Sequence, residues 1–236
     1  MISAKQLIAE FRRMAGWKYV WGAAREGAVD CSGAFSYAFR RLGSWMYHGS
    51  NTMYKTYSYD KGEVGAVPVL PGMAVYKYSK ATRWHHVGLY VGGGLTIEAK
   101  GALYGVIYGR LEDWSHAGKL ISKDGATVVY DVKEAEAVTY KAICRSRAGG
   151  TVNMRTGCSR LNSVVAKVPN GAGVQVLDTG VNAGWRAVLY GGKIGFMMSE
   201  FVVLAEPVPT AEGRLAAIED RMAAFERRLA AMEGEA

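Results

Sequence analysis

Three cysteines and four histidines are the side chains of this chain best suited to build a nucleophile and its base. Cys31 stands in Asp30-Cys31-Ser32-Gly33, where a Gly- and Ala-rich loop from Gly22 to Asp30 gives way to a helical pattern. Unpaired N–H groups and the positive dipole end at a helix N-terminus favour a thiolate, and the same groups can hold the oxyanion of a tetrahedral intermediate. A single cysteine is more often a small buried hydrophobe, so the argument for chemistry rests on what lies downstream. A sulfur nucleophile needs a group that removes and returns a proton, and histidine suits both tasks near neutral pH. His86 opens the run His86-Val-Gly-Leu-Tyr-Val-Gly-Gly-Gly and falls at the mouth of an expected strand. His85 would point to the opposite face, so only one of the doublet can serve, and position alone does not separate them. His48 and His116 lie in polar, loop-like stretches where surface or turn roles are expected.

Cys144 and Cys158 have no base pattern nearby and read as structural. Three cysteines at wide spacing argue against a disulfide framework, and no pair has zinc-ligand spacing. No metal or cofactor is implied, because thiolate, imidazole and backbone donors suffice.

The elements that must position these groups follow from periodicity. Leu7, Ile8, Phe11 and Met14 share one face of a first helix, with Ser3 as its cap. A second helix is expected from about Cys31 to Leu42, with Phe35, Ala38, Phe39 and Leu42 inward, Arg40 and Arg41 outward, and Gly43 as the stop. Strands are expected at Met73 to Tyr78, His86 to Val91, Leu95 to Ala99 and Gly105 to Tyr108, with Gly92-Gly93-Gly94 as a hairpin signal. Helices first and strands later indicate an α+β domain over residues 1–135.

Tyr19-Val-Trp-Gly22, Asp30-Cys-Ser-Gly33 and His86-Val-Gly-Leu-Tyr-Val-Gly occur in that order, with a strand-like Leu70-Pro-Gly-Met-Ala-Val75 before the histidine. Together they resemble the NlpC-like cell-wall cysteine peptidases over about residues 1–120. The resemblance implies a papain-like fold, Cys31 as nucleophile, His86 rather than His85 as base, and a third polar residue orienting the imidazole. Glu98 occupies that third place in Thr96-Ile-Glu-Ala99, where the family often has histidine. A carboxylate can still hold an imidazole in one tautomer and stabilise its cation; the alternative is a surface glutamate on an edge strand. Ala23 departs from a second glycine common in the family. Related enzymes cut between D-glutamate and the following diamino acid of the stem peptide. Several grip a free N-terminal L-alanine with residues that correspond to Tyr19, Asp30 and Ser32 here. A carboxylate beside the nucleophile can pair with a substrate ammonium, but Tyr19 packing and Asp30 capping the helix explain the same residues.

From about Tyr140 the rhythm changes to short apolar runs between glycine-rich turns, the pattern of a small all-β barrel over residues 140–205. Thr151-Val-Asn-Met-Arg-Thr-Gly157, Lys167-Val-Pro-Asn-Gly171, Gly184-Trp185 and Gly195-Phe-Met-Met resemble the bacterial SH3-type module that commonly accompanies wall hydrolases. Trp185 and Tyr190 look exposed enough to bind wall glycan or peptide, although Trp185 reads better as core. After the stiff linker Pro207-Val-Pro209, Leu215, Ile218, Met222, Phe225, Leu229 and Met232 form an a/d seam within residues 211–236. Arg214, Arg221 and Arg228 at g positions match Glu219, Glu226 and Glu233 at e positions, so a parallel coiled coil and a homo-oligomer are expected.

The formal charge of +8 is uneven: 17 basic and 12 acidic residues before Tyr140, then 8 and 2 up to Ala205, then 4 and 7. A basic excess points to a polyanionic partner such as nucleic acid or an anionic wall polymer, and no nucleic-acid-binding motif supports the former. No run approaches the length of a membrane span, so no membrane partner is expected. The amino terminus lacks the features of a secretory signal, which suggests release by lysis or holin, or carriage on a phage virion. The expected partner is therefore peptidoglycan. Readings that differ in class are an amidase of the muramoyl–L-alanine bond and an inert wall-binding or phage structural protein.

Overall fold

A computed structural model describes residues 1–130, 140–177 and 184–205. The expected coiled coil at 211–236 and the linker before it lie outside the described residues.

Helix α1 (Ala4–Met14) buries Leu7, Ile8, Phe11 and Met14, the face its periodicity predicts. Ser3 holds the N-cap position, yet its side chain makes no capping hydrogen bond. Helix α2 (Cys31–Arg41) is capped by Asp30, whose carboxylate accepts from the Gly33 N–H at 2.7 Å. Every residue from Cys31 to Phe39 is buried, the polar Ser32 and Ser36 included. The helix stops where Gly43 turns to a φ of 74°, a conformation that costs glycine little. Phe11 of α1 meets Phe35 of α2 edge-on at 4.7 Å between ring centroids. A third helix, α3 (Ser50–Thr56), lies in the polar stretch that periodicity left as loop. It buries only Met53, too little to write an apolar stripe.

Six strands make one antiparallel sheet: β1 (Ser58–Glu63), β2 (Ala74–Ser79), β3 (Arg83–Gly92), β4 (Leu95–Gly101), β5 (Gly105–Arg110) and β6 (His116–Leu120). Their spatial order is β1-β6-β2-β3-β4-β5, with every pairing antiparallel. Four were expected. β1 and β6 were not, because their polar and glycine-containing sequences lack a clean alternation. Gly92, Gly93 and Gly94 join β3 to β4, all three with positive φ. Helices α1 and α2 cover one face, packing Phe11, Phe35 and Phe39 with Val87, Leu89 and Ile97.

Residues 140–204 add a second antiparallel sheet: β7 (Tyr140–Cys144), β8 (Thr151–Arg155), β9 (Val164–Pro169), β10 (Gly173–Val176), β11 (Trp185–Tyr190), β12 (Lys193–Met198) and β13 (Val202–Leu204). Its order is β9-β8-β12-β11-β10-β7-β13. Val152, Met154, Val174, Val188 and Met197 pack inside it. Leu177, Trp185, Ala187 and Phe196 instead join the apolar core of the first sheet, so residues 1–204 make one compact unit. Trp185 is thus buried, as its reading as a core residue expected. The two halves also bond through polar groups. The Tyr108 hydroxyl donates to the Leu177 carbonyl at 3.3 Å, and the Asn162 amide to the Leu103 carbonyl at 2.8 Å. All three cysteines are free thiols; Cys144 is buried within the second sheet.

Candidate active site

Cys31 is held by two segments that meet at the start of α2. Lys18–Tyr19, Ala24–Arg25 and Ala28–Val29 form a three-stranded sheet that folds the preceding loop back on itself. The Asp30 N–H donates to the Ala23 carbonyl at 2.9 Å, and the Gly22 N–H to Asp30 Oδ2 at 2.8 Å. Gly22 turns at a φ of 74° to reach it. The Ala23 carbonyl lies so close to the helix that a Cβ on Gly33 would stand 2.0 Å from its oxygen. Gly33 is therefore required by contact, which explains the glycine of the Asp-Cys-Ser-Gly motif. Arg40, from the last turn of α2, donates to the Ala24 carbonyl and ties the loop down from behind.

The Cys31 thiol is buried against the sheet, where the backbone N–H groups of Val87, Ser32 and Cys31 itself point to the sulfur. Its pKa is pushed up to about 11, first by burial and then by the neighbouring Asp30 carboxylate; the backbone donors pull the other way and lose. The helix N-terminus was expected to favour a thiolate. Here burial and Asp30 outweigh it, and the resting sulfur carries its proton at neutral pH.

Val87, which touches that sulfur, directly follows His86 on β3. His86 Nε2 meets Glu98 Oε2 of β4 at 2.6 Å. The imidazole lies flat on Trp114, 5.4 Å between centroids and 10° between planes. Trp114 is fixed in turn: its indole N–H donates to Thr96 Oγ1 at 3.1 Å, and Lys77 sits over its ring. A Cβ on Gly88 would strike that indole at 2.7 Å, so the glycine of His-Val-Gly makes room for the ring that the histidine stacks on. Glu98 is only 2% exposed. Burial pushes its carboxyl up, but the hydrogen bond and charge of His86, with help from Lys77 and Lys100, bring it below the ordinary carboxylate value. The edge-strand alternative for Glu98 is excluded, since β5 covers β4. An ionised Glu98 accepts from Nε2–H and leaves Nδ1 of the ring as the basic nitrogen.

The histidine doublet separates cleanly. His85 is exposed and bonds to the Arg83 carbonyl at 3.2 Å. His116 packs edge-on against Trp84, 4.6 Å away, in an aromatic group with Tyr54 and Tyr78. His48, expected to serve a surface or turn role, instead places Nε2 2.9 Å from both oxygens of Asp30. With Gly22, Gly33 and Ser32 (3.3 Å) already donating, the Asp30 carboxylate is saturated. Ser32 is buried with its hydroxyl turned to Asp30. Tyr19 stands close enough to Cys31 and Asp30 that, after burial, their charges raise its phenol pKa. Trp21 beside it is 84% exposed. Sequence reasoning missed Trp114 and His48. Gly88 was a signal for the first; nothing in the polar stretch around the second marks it.

Among the described residues no group of three or more His, Cys, Asp or Glu is placed to hold a metal ion. No described helix is long and apolar enough to cross a membrane.

A helix presenting a cysteine to an antiparallel sheet that carries the histidine is a papain-like arrangement. Residues 16–121, a little under half of the chain, match the model of the NlpC/P60 family. Over 98 residues it is 33% identical to a probable endopeptidase p60 of Listeria grayi, an alignment covering 42% of this chain and 18% of that protein. Over 91 residues it is 33% identical to a probable endopeptidase of Mycobacterium bovis, covering 39% of this chain and 21% of the relative. The chain thus spans about a fifth of the length of the curated relatives it matches. Among solved structures it is similar to the NlpC/p60 domain of the peptidoglycan hydrolase SagA, with 22% identity and a TM-score of 0.43 over 50% of this chain and 98% of that one.

Proposed function

We propose that this protein is a peptidoglycan hydrolase that cuts the stem peptide, at the bond between the γ-carboxyl of D-glutamate and the diamino acid. The observation that carries this reading is the pairing of His86 with Glu98 at 2.6 Å, one residue along the strand from the backbone N–H that meets the Cys31 sulfur. The relatives named as probable endopeptidases support cleavage of a peptide bond, and the wall stem peptide as substrate follows from the resemblance of the three motifs.

In the proposed reaction His86 takes the Cys31 proton as the sulfur attacks the scissile carbonyl carbon. Because the resting thiol holds its proton up to about pH 11, attack and deprotonation have to be coupled through the imidazole. Backbone N–H groups at the start of α2 stabilise the oxyanion. On collapse the C–N bond breaks, and His86 returns the proton to the leaving amine. Water, activated by His86, then splits the thioester to give the free acid and restore the thiol. Glu98 keeps the ring in the tautomer with the proton on Nε2 and stabilises its cation. Tyr19, Asp30 and Ser32 frame the end of the cleft that receives the amino-terminal side of the substrate. A free ammonium would reach Asp30 by displacing His48.

Residues 140–205 act as an SH3-like wall-binding module and 211–236 as a parallel coiled coil. Several modules presented together would raise avidity for the wall without new contacts. The test is digestion of purified peptidoglycan, and of muropeptides with a free amino-terminal L-alanine, by wild type and Cys31→Ala, with the new termini identified by mass spectrometry. New D-glutamyl and diamino-acid ends with wild type alone support the proposal; equal products from the variant, or none from either protein, reject it.

A further inference from the structure

A cavity of about 440 Å³ lies between β4 and β5 of the first sheet and β12 of the second. Its floor is apolar and buried, made by Ile107, Tyr108 and Phe196. Its rim is charged: Lys100 and Arg110 from one side, Lys193 from the other, and a single carboxylate, Asp113. The cations are only partly engaged. Lys100 lies over the Tyr104 ring, Lys193 reaches the Val165 carbonyl at 3.4 Å, and Arg110 donates to the Gly192 carbonyl while its Nε stands 4.0 Å from the exposed Glu112 carboxylate. Among the described residues neither lysine forms an ion pair with a carboxylate.

The cavity adjoins the candidate active site. Gly109 lines it, and a Cβ on Gly109 would stand 3.2 Å from Oε1 of Glu98, the oxygen not bonded to His86. Lys100 sits two residues beyond Glu98 on the same strand, near enough for its charge to reach that carboxylate. Ile107 of β5, on the cavity floor, pairs with Glu98 of β4, so one strand separates the cavity from that carboxylate.

We propose that this cavity binds the diamino-acid residue of the stem peptide, its carboxylate on the lysines and arginine and its ammonium on Asp113, an inference that rests on the peptidase reading above. Three cations and one carboxylate suit a residue carrying both charges. A polyphosphate would find the cations but also the repulsion of Asp113. The second sheet then supplies half of a substrate subsite, Lys193 with it, and does more than anchor the enzyme.

The test uses the full chain with Cys31→Ala, titrated with free meso-diaminopimelate, its diamide, or inorganic phosphate, while the amide resonances of Gly109, Lys193 and Gly195 are followed. Shifts with the diamino acid and none with the diamide or phosphate are expected. No shift, or an equal response to phosphate, overturns the proposal. In active enzyme, Lys193→Gln should raise KM for muropeptides about tenfold, the loss of one charge-assisted contact, with kcat unchanged. Asp113→Asn should raise KM only for substrates whose diamino-acid ammonium is free. A wild-type KM in Lys193→Gln overturns the subsite. If wild type cleaves no peptidoglycan while the diamino acid still shifts those resonances, the peptidase reading falls and the binding site stands.

Discussion

Two histidine–carboxylate pairs flank Cys31, and their geometry on paper is alike: His86 with Glu98 at 2.6 Å and His48 with Asp30 at 2.9 Å. Their surroundings differ. His86 is 13% exposed and lies flat on Trp114, while the His48 side chain is 34% exposed. Glu98 is devoted to the imidazole; Asp30 already serves two backbone N–H groups and the Ser32 hydroxyl. One carboxylate sets the state of a ring, and the other shapes the loop and helix start to which the ring is only added. A short histidine–carboxylate distance therefore does not identify a catalytic pair. What distinguishes the two is which partner would be left unsatisfied without the other.

Substitutions can break this comparison. Removing the sulfur with Cys31→Ala should lower muropeptide cleavage by ~10⁴-fold or more, measured by liquid chromatography of products. His86→Ala should fall as far. Glu98→Gln should lose about 10²- to 10⁴-fold, because an amide of the same shape cannot hold the cationic ring. That variant should keep a cooperative thermal unfolding transition.

Gly33→Ala should cost roughly 1–3 kcal/mol or more, since its methyl must push back the Ala23 carbonyl, 2.0 Å from the ideal position. The loss should appear in the urea midpoint, and activity should drop with it as the loop moves.

The Cys31 thiol makes a pH prediction. Its folded pKa, about 11, lies above the ordinary 9.0, so its contribution to stability is fully present below pH 9 and is lost as pH rises toward 11. Wild type should thus lose ~2–3 kcal/mol more than Cys31→Ala over that window, as an upper bound from the two-unit shift. Equal pH dependence in urea melts of the two proteins would place the thiol in a wetter site. Glu98 acts in the opposite sense: its lowered pKa gives stability that is present above the unfolded carboxyl value and lost as pH falls through the folded one.

The smallest effect should come from His48→Ala. Asp30 keeps its three other donors, so stability should change by no more than about 1 kcal/mol. Cleavage of substrates without a free amino terminus should stay within a few-fold of wild type. Muropeptides with a free L-alanine should gain relative to them, because the variant uncovers Asp30. A loss as large as that of Glu98→Gln would erase the distinction between the two pairs.

How much of this was legible in the sequence follows the range of the interactions. The start of α2 at Cys31 and the Gly92–Gly94 hairpin are local patterns, and the structure has them where the residues suggest, whereas the strand through His86 begins three residues earlier than expected, at Arg83. Glu98 was placed by the resemblance, which implies a third polar residue on the strand after that hairpin, and its carboxylate meets His86 there. The helix α3 and strands β1 and β6 carry weak periodicity and are set by tertiary packing. His48 reaches Asp30 only after the chain has run the length of α2 and turned back, which no spacing announces. The sign of the Cys31 shift was unreadable for a related reason. A helix N-terminus is visible in sequence, but the burial that overrides it is not. The core shared between the two sheets, with Trp185 at the join, likewise appears only when both are folded together.

The most direct test of the account is to catch the acyl-enzyme. Glu98→Gln is mixed with a muropeptide substrate, quenched in acid within a turnover and digested, and the cysteine-bearing peptides are weighed. The account predicts that the added mass is the D-glutamyl portion of the stem peptide and that it sits on Cys31. Product formed with Cys31 unmodified at every time point, or an adduct on Cys144 or Cys158 in its place, would contradict it.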